Sequence, residues 1–274
     1  MTVRVVTVAG RSLRVAVRPG DGTRTPLVLA NGIGGSFEVL EPFVDALDPA
    51  IEVIRFDPPG VGGSPLPRTP YRFGGLARMV VRVLDELGYS SPVDVLGFSW
   101  GGGVAQQLAM CQASRVRRLV LAATGTGMLM VPARPRVLAR MATPRRYLNG
   151  EYLERIAPDQ YGGTIRSDPG RARELLYAGT RLGPGLGYVY QLAAGAGWSS
   201  LPFLPLIRQH TLIVAGDDDP LIPLVNARVM RRLIPSAELH VYSGGHLALL
   251  TEAAQLAPVI ERFLERDDAG APTA

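Results

Sequence analysis

The chain has 274 residues, 47% of them hydrophobic, with a formal net charge of +5. That length supports one large domain with a sizeable core and is short for two. All 29 basic residues are arginine and lie scattered along the chain, not on one stripe interleaved with aromatic residues, which argues against a nucleic-acid partner.

Taken in order, Thr2 to Val8 and Leu13 to Val17 alternate apolar and polar residues around Ala9-Gly10-Arg11-Ser12, the pattern of an antiparallel hairpin at a sheet edge. The first residues carry no longer apolar run, so no signal peptide is expected, and no stretch approaches the length of a membrane span. The expected compartment is the cytoplasm. Pro26 to Ala30 is a continuous apolar run, as for a strand buried on both faces, and Asn31-Gly32-Ile33-Gly34-Gly35-Ser36 follows it. A helix over Phe37 to Leu47 and a buried strand over Ile51 to Phe56 come next. Asp57 to Ser64 is a stiff turn in which Asp57 reads as a structural turn residue. Phe73 to Leu87 is an amphipathic helix ended by Gly88.

The run Val93 to Phe98 leads into Ser99-Trp100-Gly101-Gly102, and the stretch to Cys111 reads as a helix leading away. The lone cysteine, Cys111, excludes an internal disulfide and is expected on the apolar side of that helix as a buried, inert thiol. A strand over Val116 to Ala122 follows. From Ala123 to about Pro205 the strand–helix alternation stops, and short helical patterns carry many methionines and aromatic residues. The sheet resumes with Thr211 to Ala215, a loop Gly216 to Pro223, a helix to Ile234, a strand Glu238 to Tyr242 and a closing helix Glu252 to Glu265. The fold class is therefore α/β, a mostly parallel sheet with helices on both faces. The expected organisation is a core over 1–122 and 206–266, a helical cap or lid insertion over 123–205, and a disordered tail over 267–274.

In such sheets ligands bind beyond the carboxyl ends of the strands, where Asn31, Asp57 and Ser99 fall. Gly97-Phe98-Ser99-Trp100-Gly101 has the form of a nucleophile elbow. A strand that reverses sharply into a helix strains its apex and brings its flanks close, and the glycines at 97 and 101 permit both. A serine hydroxyl needs a base, itself oriented by a carboxylate. Of three histidines, His240 lies inside a strand and His210 at a strand's amino end, so His246, after the last strand, is the candidate base. Asp217, Asp218 and Asp219 compete for the acid; the order Ser, Asp, His is that of the α/β-hydrolase fold, whose spacing between glycine and proline singles out Asp219, with Asp218 as runner-up. The backbone N–H groups of Trp100 and Ile33 are the candidate oxyanion donors. Met128, Met130, Tyr190 and Trp198 are candidate substrate-binding residues, with core packing as the competing reading. No metal and no organic cofactor is called for.

Several segments narrow the resemblance. Asn31-Gly32-Ile33-Gly34, Asp57 to Ser64, Pro70 to Phe73, Ser99 to Gly102, Leu121 to Thr124, Pro144 to Tyr147, Ile156 to Pro158, Tyr161 to Gly163, Gly197-Trp198, Ala215 to Pro223 and Gly245 to Leu247 together resemble the intracellular depolymerases of medium-chain-length poly(3-hydroxyalkanoates). Phe98 and Ser243 to Gly245 depart from that pattern. The resemblance implies a serine esterase cutting a storage polyester of 3-hydroxy acids through Ser99, Asp219 and His246, with the storage-granule surface as a partner. A carboxylesterase, lactonase or carbon–carbon bond hydrolase on small soluble substrates is the alternative, and a noncatalytic ligand or granule binder is a third reading.

Overall fold

The computed structural model describes residues 1–177, 181 and 185–266; the tail expected to be disordered lies outside them. Eight strands, β1 (Thr2–Val8), β2 (Arg11–Arg18), β3 (Leu27–Ala30), β4 (Val53–Phe56), β5 (Val93–Phe98), β6 (Val116–Ala122), β7 (His210–Gly216) and β8 (Ala237–Tyr242), form one sheet in the order β1-β2-β4-β3-β5-β6-β7-β8. The β1–β2 and β2–β4 pairs are antiparallel and every other neighbouring pair is parallel.

The apolar runs occupy the middle of this sheet because successive side chains point to opposite faces and both faces are covered. On β3, Leu27 and Leu29 join one buried cluster and Val28 and Ala30 the other; on β5, Leu96 and Phe98 part from Val93 and Val95 in the same way. Helices α1 (Glu41–Ala46), α10 (Ala248–Thr251) and α11 (Ala253–Leu264) cover the first cluster. Helices α2 (Phe73–Glu86), α3 (Trp100–Cys111) and α9 (Val225–Leu233) cover the second. Burying each such leucine, valine or phenylalanine contributes roughly 1.5–3 kcal/mol relative to exposure.

Between β6 and β7 lie α4 (Pro135–Met141), α5 (Arg145–Leu148), α6 (Gly150–Tyr161), α7 (Pro169–Tyr177) and α8 (Gly185–Gly195). Their Leu153, Ala157 and Leu175 continue the first apolar cluster. A main-chain bond from His246 N–H to the Tyr161 carbonyl (2.7 Å) and a bond from Gly163 N–H to the Asp218 side chain at Oδ2 (2.8 Å) seat the end of α6 on the loops that follow β7 and β8. The approach is close enough that a Cβ on Gly245 would lie 2.1 Å from the Tyr161 carbonyl oxygen, which accounts for the glycine there.

Two local expectations change. The helix expected over Phe37 to Leu47 is a 3-10 turn over Phe37–Leu40 followed by α1, because Pro42 sits in the first turn of α1 and has no N–H to continue a ladder from the preceding residues. Cys111 is exposed, not buried: the packed face of α3 ends at Ala109 and Cys111 is the helix's last residue. Among the described residues, no helix is long and apolar enough to cross a membrane.

Candidate active site

Ser99 joins β5 to α3 with φ +53° and ψ −120°, a left-handed conformation that a side chain tolerates only when its surroundings enforce it. The enforcement is visible. Ser99 N–H donates to the Ala122 carbonyl (2.9 Å), while its own carbonyl accepts from Thr124 Oγ1 (2.7 Å) and Gly102 N–H (2.9 Å). A Cβ on Gly101 would stand 2.0 Å from the Ala30 carbonyl oxygen, so the first turn of α3 reaches β3 only with glycine at that position.

The strained turn aims the Ser99 hydroxyl at the loop after β8, where His246 Nε2 lies 2.9 Å from Ser99 Oγ. The other ring nitrogen, Nδ1, lies 2.8 Å from Asp219 Oδ2. With Nδ1–H donating to the carboxylate, Nε2 keeps the lone pair that accepts the serine proton. The second carboxylate oxygen, Asp219 Oδ1, accepts from the amides of Leu221 and Ile222, each at 2.8 Å, so both oxygens are fixed. His246 and Asp219 are buried. The imidazole packs between Phe98 (5.5 Å between centroids) and Tyr161 (6.4 Å, near-parallel).

The neighbouring aspartates serve the loops instead. Asp218 makes two contacts to Arg166, at 2.6 and 2.7 Å, and that guanidinium holds its carboxyl below the usual range. Asp217 Oδ1 accepts from Gly244 N–H. Asp57 is buried just after β4. Its Oδ1 accepts from Phe37 N–H (2.8 Å) and its Oδ2 from Gly63 N–H (2.8 Å) and Arg14 (3.1 Å), a bracing role for the β4 turn. His210 is exposed at the start of β7, and His240 lies within β8.

Trp100 is the first residue of α3, so its backbone N–H has no acceptor within the helix. The Ile33 N–H has no acceptor among the described residues, although its neighbours do: Gly32 N–H donates to Asn31 Oδ1 and Gly34 N–H to Gln191 Oε1, each at 2.7 Å. Ile33 and Trp100 border one cavity with Ser99. Two unpaired amides beside a nucleophilic oxygen are what a tetrahedral oxyanion requires.

Two spaces meet at Ser99. One, of about 30 Å³, lies towards His246, Arg146 and Tyr161. The other, of about 210 Å³, is mostly apolar and is walled by Phe73, Trp100, Met130, Met141, Trp198 and Leu221. Of the four substrate-binding candidates, Met130 and Trp198 line this cavity. Met128 does not, because its side chain points out to solvent from the loop that carries Met130, and Tyr190 packs against the second apolar cluster.

Sequence reasoning missed Arg146 and Gln191, both fully buried beside the site. Arg146 reaches the Tyr188 hydroxyl (2.8 Å) and the Ile33 carbonyl (3.4 Å), with its guanidinium over the Tyr147 ring. Nothing in the local sequence distinguishes this arginine from its exposed neighbour Arg145.

A family model described as the alpha/beta hydrolase fold matches residues 25–253. The chain is 51% identical over 264 residues to a poly(3-hydroxyalkanoate) depolymerase from Ectopseudomonas oleovorans, covering 96% of this chain and 93% of the relative. It is 32% identical over 204 residues to a 2-hydroxymuconate semialdehyde hydrolase from Pseudomonas putida, covering 69% and 68% of the two chains. Among solved structures, the enol-lactonase from Burkholderia xenovorans LB400 superposes with a TM-score of 0.81 over 96% of this chain and all of that one, at 22% identity, a likeness of fold alone. The chain belongs to the α/β-hydrolase family and, within it, to the family of the poly(3-hydroxyalkanoate) depolymerases.

Proposed function

We propose that the protein is a serine esterase that hydrolyses the ester bonds of poly(3-hydroxyalkanoate), with medium-chain-length polymer as the preferred form. The observation that carries this reading is the hydrogen-bonded line Ser99–His246–Asp219 opening onto an apolar cavity of about 210 Å³. An alkyl side chain of a 3-hydroxyalkanoate gains about 0.8 kcal/mol for each methylene buried there.

In the proposed cycle His246 Nε2 takes the Ser99 proton as Oγ attacks the ester carbonyl, and Asp219 stabilises the imidazolium. The amides of Ile33 and Trp100 receive the oxyanion. The alcohol leaves with the proton from His246, water attacks the acyl-enzyme by the reverse route, and a 3-hydroxy acid or short oligomer is released. Residues 123–205 act as a cap, since the end of α6 is seated on the carboxyl-end loops and the turns at Met130 and Trp198 supply the cavity wall. Met128, Leu129 and Val131 are exposed beside that wall and form the apolar rim that meets a polyester surface on the storage granule. The setting is the cytoplasm, where the exposed thiol of Cys111 stays reduced.

The test is clearing of a medium-chain polyester suspension by the purified protein, beside a short-chain polyester, a soluble nitrophenyl ester and the Ser99→Ala variant. Clearing of the medium-chain suspension, with a loss of about 10⁴-fold or more in the variant, supports the reading. Cleavage of the soluble ester alone makes the protein a small-ester hydrolase, lactonase or carbon–carbon bond hydrolase. Undiminished turnover by Ser99→Ala removes the serine mechanism, and no turnover of any substrate leaves a binding protein.

A further inference from the structure

The two proposed oxyanion donors sit apart, one in the loop after β3 and one at the start of α3, and a single residue of α8 is bonded next to each: to the amide that follows Ile33 and to the side chain of Trp100. Gln191 Oε1 accepts from Gly34 N–H at 2.7 Å, and the main-chain carbonyl of Gln191 accepts from the indole N–H of Trp100 at 3.0 Å. Gln191 is completely buried. The peptide unit joining Ile33 to Gly34 is also held at its other end, where the Ile33 carbonyl accepts from the Tyr147 hydroxyl at 2.7 Å and from Arg146 at 3.4 Å. Both polar ends of the peptide that follows the Ile33 amide are thus bonded to residues between β6 and β7.

That placement has a catalytic meaning. An oxyanion donor works only when its nitrogen lies about 2.7–3.1 Å from the oxygen that develops charge, and a misplacement of about 1 Å costs on the order of a hundredfold in rate. The β3 loop has support of its own at Asn31, whose side chain binds Gly32 N–H (2.7 Å) and the Ser36 carbonyl (2.6 Å). Those bonds bracket the turn but leave the rotation of the Ile33–Gly34 peptide to Gln191, Tyr147 and Arg146. Gly34 has φ +79°, where glycine is free to turn, so the fixing must come from partners.

We infer that Gln191 is a positioning residue that couples the seating of α8 to the geometry of the oxyanion hole; the inference rests on the proposed roles of Ile33 and Trp100. With α8 seated, both amides are aimed at the carbonyl carried by Ser99. Without these bonds the Ser99–His246–Asp219 line stands while the donors lose their alignment.

The test compares Gln191→Met, which removes the side-chain acceptor at similar length, with Gln191→Glu, which keeps an oxygen there. Trp100→Phe, which removes the indole N–H and keeps a ring, and Ser99→Ala complete the set. Each is assayed for kcat and KM on a soluble nitrophenyl ester, for its pH profile, and for affinity towards an aryl trifluoromethyl ketone, whose serine adduct carries the oxyanion. Gln191→Met is expected to lower kcat roughly ten- to a hundredfold, short of the hundred- to thousandfold loss on deleting a donor outright. KM should stay within about twofold and the pH profile should not move, while the ketone weakens in step with kcat/KM. Gln191→Glu should recover most of the loss.

A folded Gln191→Met enzyme with wild-type kcat and ketone affinity overturns the inference, as does a loss confined to KM or a Gln191→Glu variant no better than Gln191→Met. Should Gln191→Met fail to fold, Trp100→Phe decides: a fall in kcat matched by the ketone supports the coupling, and wild-type values sink it. An active Ser99→Ala overturns the catalytic reading itself, whereas a dead Ser99→Ala beside a wild-type-like Gln191→Met overturns the coupling alone.

Discussion

Replacing Gly34 by alanine places a methyl group where two rings already stand. A Cβ there would lie 2.5 Å from Tyr147 Cε2 and 2.9 Å from Tyr188 Cδ2, and both rings are buried. The φ of +79° adds a backbone cost of about 1–2 kcal/mol for any side chain, and forcing the rings apart costs about 1–3 kcal/mol more. Gly10 is the matched control, since its φ of +72° carries the same backbone cost and nothing lies within 4 Å of its would-be Cβ. For a chain of 274 residues the unfolding entropy is about 0.6 kcal/mol/K. Gly10→Ala should therefore lower Tm by about 2–3 °C and Gly34→Ala by about 3–9 °C, as read by thermal melts at one scan rate. Gly34→Ala should also lose at least about tenfold in kcat on a soluble ester, because the ring clash displaces the Ile33 amide; Gly10→Ala should lose none. Equal Tm shifts with unchanged kcat would refute the packing argument and the assignment of this loop together.

Two further outcomes follow from the carboxylates. Asp219→Asn should lower kcat by about 10⁴-fold through the wrong imidazole tautomer, while Asp218→Asn, which loosens an exposed pair with Arg166, should leave kcat within about threefold and cost no more than about 1 kcal/mol of stability; steady-state kinetics on one ester separates them, and the reverse ranking would exchange their roles. Asp94 is buried and its carboxyl is pushed up to about 6 by desolvation, against a pairing with Arg117 that pulls the other way. Because the folded value lies above the ordinary 3.8, the unfolded chain releases this proton first. Its contribution to stability is thus full at acid pH and falls by about 3 kcal/mol as pH rises from about 4 through 6. Urea unfolding of the wild type relative to Asp94→Asn at pH 4 and pH 7 reads the difference, and a contribution that grows with pH would contradict the burial argument.

What the sequence reveals here is what local sterics and strand order impose. The Ser99 turn is legible because its signature is contiguous in the chain: an apolar strand, glycines at 97 and 101, and a helix after. The proximity of His246 to Ser99 is legible because parallel strands put their carboxyl ends on one edge, and only one histidine follows such an end. The aspartate triplet is harder, since all three residues suit a turn; the structure separates them by what each carboxylate touches, Gly244 for Asp217, Arg166 for Asp218 and the imidazole for Asp219. The residues between β6 and β7 resist reading for a different reason. Their environments are set by the loops they land on, so Arg146 is buried while Arg145 stays accessible to Tyr152, and Met130 faces the cavity while Met128 faces water. Cys111 shows the same limit at a helix end, where periodicity continues in the sequence after the packing has stopped.

The chain order of the site bears on how the protein is made. Ser99 and His246 are 147 residues apart, and Asp219 also lies on the far side of the β6–β7 segment. On the proposed roles, Ser99 precedes its base in the order of synthesis, and a serine without a base is a poor nucleophile. A nascent chain is then expected to be inert toward esters until β8 has paired with β7 and brought the His246 loop to the sheet edge. On that reading hydrolytic activity arrives with the last strand, as a report that the whole sheet has closed.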